Sequence, residues 1–160
     1  MSSKIILYTD GAAKGNPGPG GYGALLIAGK HRKELSEGFR LTTNNRMELL
    51  AVIVGLEALR YQDSEVIVYT DSKYVADAVT LGWVFEWERK AFKKKKNPDL
   101  WRRFLPVYRK HRVTFKWVKG HAGIPGNEIC DQLAVEASQK DQLKIDTAYE
   151  TEEADPSLFT

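Results

Sequence analysis

Two short apolar runs constrain this chain more than any other feature. KIILYT (Lys4–Thr9) and EVIVYT (Glu65–Thr70) both read as buried strands. Both end in Tyr-Thr, and each is followed at once by an aspartate, Asp10 or Asp71. Between them, Asn45–Leu59 carries Met47, Leu50, Ala51, Val54 and Ala58 at helical spacing. A helical crossover makes the strands it joins parallel. Parallel neighbours would release both carboxylates at one carboxyl edge, where open α/β sheets place their sites. Taken singly, Asp10 has a simpler reading as a turn residue before Gly11, and Asp71 as the cap of the next helix.

The remaining segments complete one domain. A glycine-rich loop runs from Asp10 to Gly21, and Tyr22–Ala28 and Arg32–Leu41 read as strands of an antiparallel meander. Asp71–Val79 reads as a helix, Gly82–Arg103 as a helix broken by a basic run and Pro98, Val113–Lys119 as the last strand and Asn127–Gln139 as the last helix. The prediction is an α/β fold with a mixed five-stranded sheet, antiparallel meander first and parallel strands after, flanked by helices. The domain should span residues 1–140. Residues 141–160 hold six acids against one base, Lys144, with few apolar anchors. They are expected to form a flexible acidic tail, dispensable for folding, whose protein partner the sequence does not name. The single cysteine, Cys130, excludes a disulfide framework or a cysteine-built zinc site. No apolar run approaches a membrane span, and Met1–Ile6 lacks a signal-peptide layout, so a cytoplasmic monomer without membrane contact is expected.

The net charge of +3 conceals an asymmetry. Residues 1–140 hold 23 bases against 15 acids, and Arg89–Arg112 alone has eleven bases and one acid, Asp99. Such a block suits a polyanion, although a charge run by itself is more often a solvated face. Lys93, Lys94, Lys95 and Lys96 are too hydrophilic for a core and should project into solvent. Among the interleaved tryptophans, Trp87, Trp101 and Trp117 are expected to be largely structural, and Trp83, after Gly82, to be exposed.

Two further acids join the strand-end pair. Glu48 lies three residues after Asn45, as in a capping box, and Asp131 lies four after Asn127, on one helix face. Each alone has an ordinary structural role. Four carboxylates converging from separate elements, with few histidines, suit hard oxygen-seeking cations such as magnesium. His121 sits among glycines in KGHAGIPGNE (Lys119–Glu128), where a loop histidine could shuttle protons or simply be exposed. Gly18–Gly23 formally fits a dinucleotide fingerprint, but it leads into a strand rather than a helix, which excludes that reading.

DGAAKGNPGPGGYG (Asp10–Gly23), TTNNRMEL (Thr42–Leu49), TDSKYV (Thr70–Val75) and WVKGHAG…N…CDQLA (Trp117–Ala134) together resemble type 1 ribonuclease H, over about residues 4–138 and in order. The basic stretch resembles the substrate-binding handle of many bacterial members. The resemblance implies an endonuclease that cuts the RNA strand of an RNA–DNA hybrid, leaving 5′-phosphate and 3′-hydroxyl ends. It makes Asp10, Glu48, Asp71 and Asp131 the ligands of two magnesium ions, with manganese a substitute. Asp10 would bridge them, Asp131 would complete the ion beside the attacking water, and Glu48 and Asp71 would hold the ion beside the leaving oxygen. His121 would assist proton transfer and product release. Asn16, Asn44, Asn45 and Lys73 fall at hybrid-contact positions, Thr43 at a DNA-phosphate pocket, and Trp83 and Lys93–Lys96 on the handle side.

The chain departs from the family pattern at several points, among them a handle some residues shorter than in familiar members and an acidic tail outside the resemblance. Ala13 replaces a cysteine found in some bacterial members, Ile27 stands where a base often supports the phosphate pocket, and Lys73 replaces a common glutamine. Two other readings compete. A non-catalytic hybrid-binding module would gain only repulsion from four intact acids facing phosphates. An actin-like phosphotransferase needs two such domains, and this chain has room for one.

Overall fold

The computed structural model describes residues 4–120 and 123–154, with side chains described as far as residue 151. The sheet is built from β1 (Ile5–Ala13), β2 (Gly18–Ala28), β3 (His31–Thr42), β4 (Glu65–Thr70) and β5 (Arg112–Trp117), in the order β3-β2-β1-β4-β5. β1, β2 and β3 pair antiparallel, whereas β4 runs parallel to both β1 and β5. This is the expected mixed α/β sheet. Tyr8 pairs with Tyr69 in the β1–β4 register, so Asp10 and Asp71, two residues further on, leave the sheet at the same level.

Alternation along the strands sorts the two faces. Leu7, Tyr22, Ala24 and Leu26 point into the main core with α1 (Asn44–Glu57) and the aromatic face of α4 (Pro98–Arg109), including Trp101 and Phe104. α1 is buried nearly all round because it lies between the sheet and α4. On the opposite face α5 (Pro125–Ser138) lies directly on β2 and β1. A side chain at Gly23 would collide with the backbone carbonyl of Cys130, so glycine here lets the helix that carries Asp131 sit against the strand. α2 (Lys73–Thr80) and α3 (Trp83–Arg89) fill the chain between β4 and the basic segment.

Four sequence expectations change. Most of the glycine-rich stretch is strand, since β1 runs on to Ala13 and β2 begins at Gly18; glycine's poor strand propensity is overridden by the close approach of α5. The broken helix Gly82–Arg103 is two helices, α3 and α4. Between them Ala91, Phe92, Lys94 and Asn97 all adopt positive φ, which ends one helix before Pro98 starts the next. Trp117 is 46% exposed rather than buried, because its strand is at the sheet edge; Trp101 is fully buried, and Trp83 is 47% exposed as expected.

The fourth change concerns the acidic segment, which packs on the body between Leu143 and Glu150. Lys144 N–H donates to the Gly38 carbonyl, and Arg40 N–H donates to the Lys144 carbonyl, each at 2.9 Å, so the segment extends the β3 edge. α6 (Thr147–Ala154) follows, with Glu150 paired to Arg40 and Tyr149 buried. The count of acids concealed this packing, because the partners lie about a hundred residues away in sequence.

Candidate active site

The carboxyl edge of β1 and β4 opens into a cavity of about 380 Å³ whose walls include Asp10, Glu48, Asp71, Asp131, Asn44 and Asn127. Carboxylate oxygens of Asp10, Glu48 and Asp71 lie within 4.8 Å of one another, close enough to share a metal ion. Asp131 reaches the same cavity from α5 without belonging to that tight group. All four predicted carboxylates therefore line one cavity.

Each acid is held by its own local structure. Glu48 does not close a capping box. Thr43 is the N-cap of α1, its hydroxyl accepting from Arg46 N–H at 3.2 Å, and Glu48 turns inward to accept from Gly11 N–H at 2.6 Å. A Cβ at Gly11 would lie 2.5 Å from the Glu48 nitrogen, so glycine permits the crossing that brings Glu48 to β1. Nor does Asp71 cap α2. Ser72 does so, accepting from Val75 N–H, which leaves the Asp71 carboxylate available to the cavity. The Asp71 carbonyl accepts from the Trp117 indole at 2.9 Å, and the same ring faces the Lys73 ammonium at 5.3 Å. An edge tryptophan thus braces the turn that presents Asp71.

Asn127 is a residue whose part the sequence did not show. Its amide nitrogen donates to the carbonyls of Thr9 and Tyr69, at 3.3 and 3.2 Å, tying together the two strand ends just before Asp10 and Asp71. It sits one turn ahead of Asp131 on α5, so a single side chain sets three of the four acids relative to one another. The available signals were the Asn127…Asp131 spacing and the asparagine of the WVKGHAG…N…CDQLA motif.

The electrostatics suit a cation. Burial pushes the Asp10 carboxyl up to about 6, with the Asp71 and Asp131 charges adding to the rise; hydrogen bonds from Glu48 and Gly11 oppose it. Burial holds Glu48 well above the usual carboxylate range, reinforced by Asp10. Acids raised in this way accept protons when nothing else neutralises them, and an all-oxygen donor set is what a hard divalent ion requires.

The predicted substrate-side residues divide into three places. Asn44 lines the carboxylate cavity, while Asn16, Thr43, Asn45 and Lys96 line a neighbouring groove of about 430 Å³ together with Asn97 and Tyr149. The turn between β1 and β2 is tied to α1 by Asn44 N–H donating to Asn16 Oδ1 at 3.0 Å. Lys73 is exposed at the start of α2 and Trp83 at the start of α3. Lys93, Lys94 and Lys95 are exposed on the segment after α3, with the Lys95 ammonium 5.4 Å from the Trp87 ring. His121 lies outside the described residues.

Comparison with known proteins agrees with this geometry. The RNase H family profile matches residues 2–139. Ribonuclease H of Rippkaea orientalis is 55% identical over 152 residues, covering 92% of this chain and 93% of that protein. Ribonuclease HI of Synechocystis sp. is 48% identical over 153 residues, covering 92% and 95%. Among solved structures, LC9-RNase H1, a type 1 RNase H with the type 2 active-site motif, superposes with a TM-score of 0.78 at 30% identity, covering 98% of this chain and 83% of that one. LC11-RNase H1, solved in complex with an RNA/DNA hybrid, gives a TM-score of 0.62 at 27% identity, covering 91% and 99%. With its sheet order, its carboxylate cavity and its sequence all in agreement, the chain belongs to the ribonuclease H family and is a ribonuclease H enzyme.

Proposed function

We propose that the protein is a magnesium-dependent endonuclease that hydrolyses the RNA strand of RNA–DNA hybrids, leaving 5′-phosphate and 3′-hydroxyl ends. The observation that carries this reading is the convergence of Asp10, Glu48 and Asp71 within 4.8 Å at the carboxyl edge, with Asp131 in the same cavity. Divalent cations held there would supply an activated water and neutralise the charge that builds on the scissile phosphate. The protein's own part is to aim the oxygens. Asn127 fixes the Asp10 and Asp71 strand ends, and Gly11 N–H orients Glu48.

Asn44 at the cavity and Asn16, Thr43, Asn45 and Lys96 in the adjoining groove give hydroxyl, amide and ammonium groups suited to sugar hydroxyls and phosphates. The exposed lysines 93–95 extend the cationic surface, and Lys73 and Trp83 stand at the starts of α2 and α3 as further contacts. His121 supplies proton transfer and helps product leave. The domain acts as a monomer in the cytoplasm on this reading. The test is cleavage of an end-labelled RNA–DNA hybrid with magnesium and with chelator, using double-stranded RNA and double-stranded DNA as controls. Magnesium-dependent cutting confined to the RNA strand of the hybrid is expected, and equal cutting of either control would overturn the substrate assignment.

A further inference from the structure

The most deeply buried charge in the described protein lies outside the carboxylate cavity. Arg46, in the first turn of α1, is only 2% exposed. Its Nε and Nη2 donate to the two carboxylate oxygens of Asp146 at 2.7 and 2.9 Å, and its Nη1 and Nη2 to those of Asp99 at 2.9 and 2.7 Å. A fifth bond runs from Nη1 to Asn97 Oδ1 at 3.3 Å. A guanidinium has five N–H donors, so all are engaged and none remains for a phosphate. Asp146 also accepts from the Thr42 hydroxyl at 2.7 Å.

The network reaches the groove through its weakest member. Asn97 adopts a left-handed conformation (φ 61°) at the junction between the lysine run and α4. Arg46 holds its amide oxygen, and the amide nitrogen donates to the Tyr74 hydroxyl at 3.1 Å. Lys96 and Asn97, Thr43 and Asn45, and Tyr149 of the C-terminal segment all line the groove. Arg46 touches each group: Nη1 bonds Asn97, its backbone N–H bonds the Thr43 hydroxyl, and its guanidinium carbon lies 5.9 Å from the Tyr149 ring.

We propose that Asp146 is a positioning residue for nucleic-acid binding: through Arg46 it fixes Asn97 and the lysine run against the Thr43 side of the groove, making the C-terminal segment part of the substrate-binding wall. This inference rests on the hybrid-cleaving reading above. The groove offers amides, a hydroxyl and one ammonium, which suits the phosphodiester backbone of a bound strand rather than its bases.

The test is steady-state hybrid cleavage by the full chain, measured well below the melting temperature of every variant. Asp146→Asn keeps the shape of the side chain and removes its charge. It is expected to raise KM for the hybrid about five- to tenfold while kcat stays within about twofold. Asn97→Gly, which preserves the left-handed backbone, should raise KM similarly, and the double variant should be no worse than the poorer single one. Thr42→Val, which spares every charge, should give a smaller KM increase and serves if Asp146→Asn fails to fold. Val66→Ala, in the β4 core, controls for lost stability and should lower Tm without moving KM. An unchanged KM in Asp146→Asn or Thr42→Val, or Asp146→Asn and Asn97→Gly effects that multiply, would overturn the proposal and leave the ribonuclease reading standing. Failure of the unmodified protein to bind or cleave hybrid would overturn both.

Discussion

Replacing Asp10 by asparagine should make the metal-free protein more stable while silencing it. Asp10 is half-buried, and its carboxyl is pushed up from 3.8 to about 6, first by burial and then by the Asp71 and Asp131 charges. A folded-state value above the unfolded one means that folding penalises the ionised form. The penalty is absent below about pH 4, where both states are protonated, and complete above about pH 6. A rise of about two pK units corresponds to at most ~3 kcal/mol, and exposure to an open, solvated cavity reduces that to ~1–2 kcal/mol. The substituted amide would keep an oxygen for the Gly11 N–H bond, now at 2.9 Å, so little is lost in exchange. In a protein of this size the gain is roughly 2–8 °C in Tm. Calorimetry in chelator at about pH 7.5 should show this gain, and it should shrink as the pH is lowered toward 4. Magnesium should stabilise the unmodified protein and not the variant, because a ligand specific to the folded state raises its stability by mass action. Turnover should vanish while hybrid binding largely persists. An unchanged or lower Tm at neutral pH without metal would refute the argument that folding holds an ionised Asp10 against burial and the neighbouring charges.

Three further outcomes are expected. Protons compete with the cation at Asp10, so the half-saturating magnesium concentration should rise by up to about tenfold per pH unit below pH 6; a flat profile in a metal titration would exclude Asp10 as a ligand. His121→Ala should slow single-turnover cleavage by about 10²–10⁴-fold or less, as expected of a proton-transfer group, and silencing as complete as in Asp10→Asn would mean a different role. Replacing Lys93–Lys96 together by serine should weaken binding to hybrid and to unrelated duplexes alike. It should also flatten the dependence of log Kd on log salt by about 0.9 for each phosphate no longer neutralised, with kcat at saturating hybrid little changed. Unchanged affinity and salt slope would make the lysine run a solvated face.

The local signals in this chain were legible wherever the structure is locally decided. Apolar runs ending in Tyr-Thr-Asp marked β1 and β4, and the helical spacing between them required a parallel crossover, so the level shared by Asp10 and Asp71 could be read before any coordinate. Asp131 announced its helix in the same way. Local spacing could not choose where two partners compete for one group. The Asn45-to-Glu48 spacing satisfies a capping box, yet Glu48 bonds Gly11, 37 residues away, because the glycine backbone offers a donor at the cavity. The dense glycines read as loop because a propensity cannot register a helix about to be laid against them.

What the sequence alone determined was therefore the mixed sheet and the edge at which its acids gather, since the period of a strand and the direction of a crossover are properties of neighbouring residues. Only the tertiary structure decided what becomes of the charges. Asp146 fell within a segment expected to be a flexible acidic tail, but it lies 100 positions from Arg46 in sequence and meets it in the interior. A buried guanidinium is tolerable only when its donors are satisfied together. That condition can be met in three dimensions by Asp146, Asp99 and Asn97, and no pattern along the chain records it.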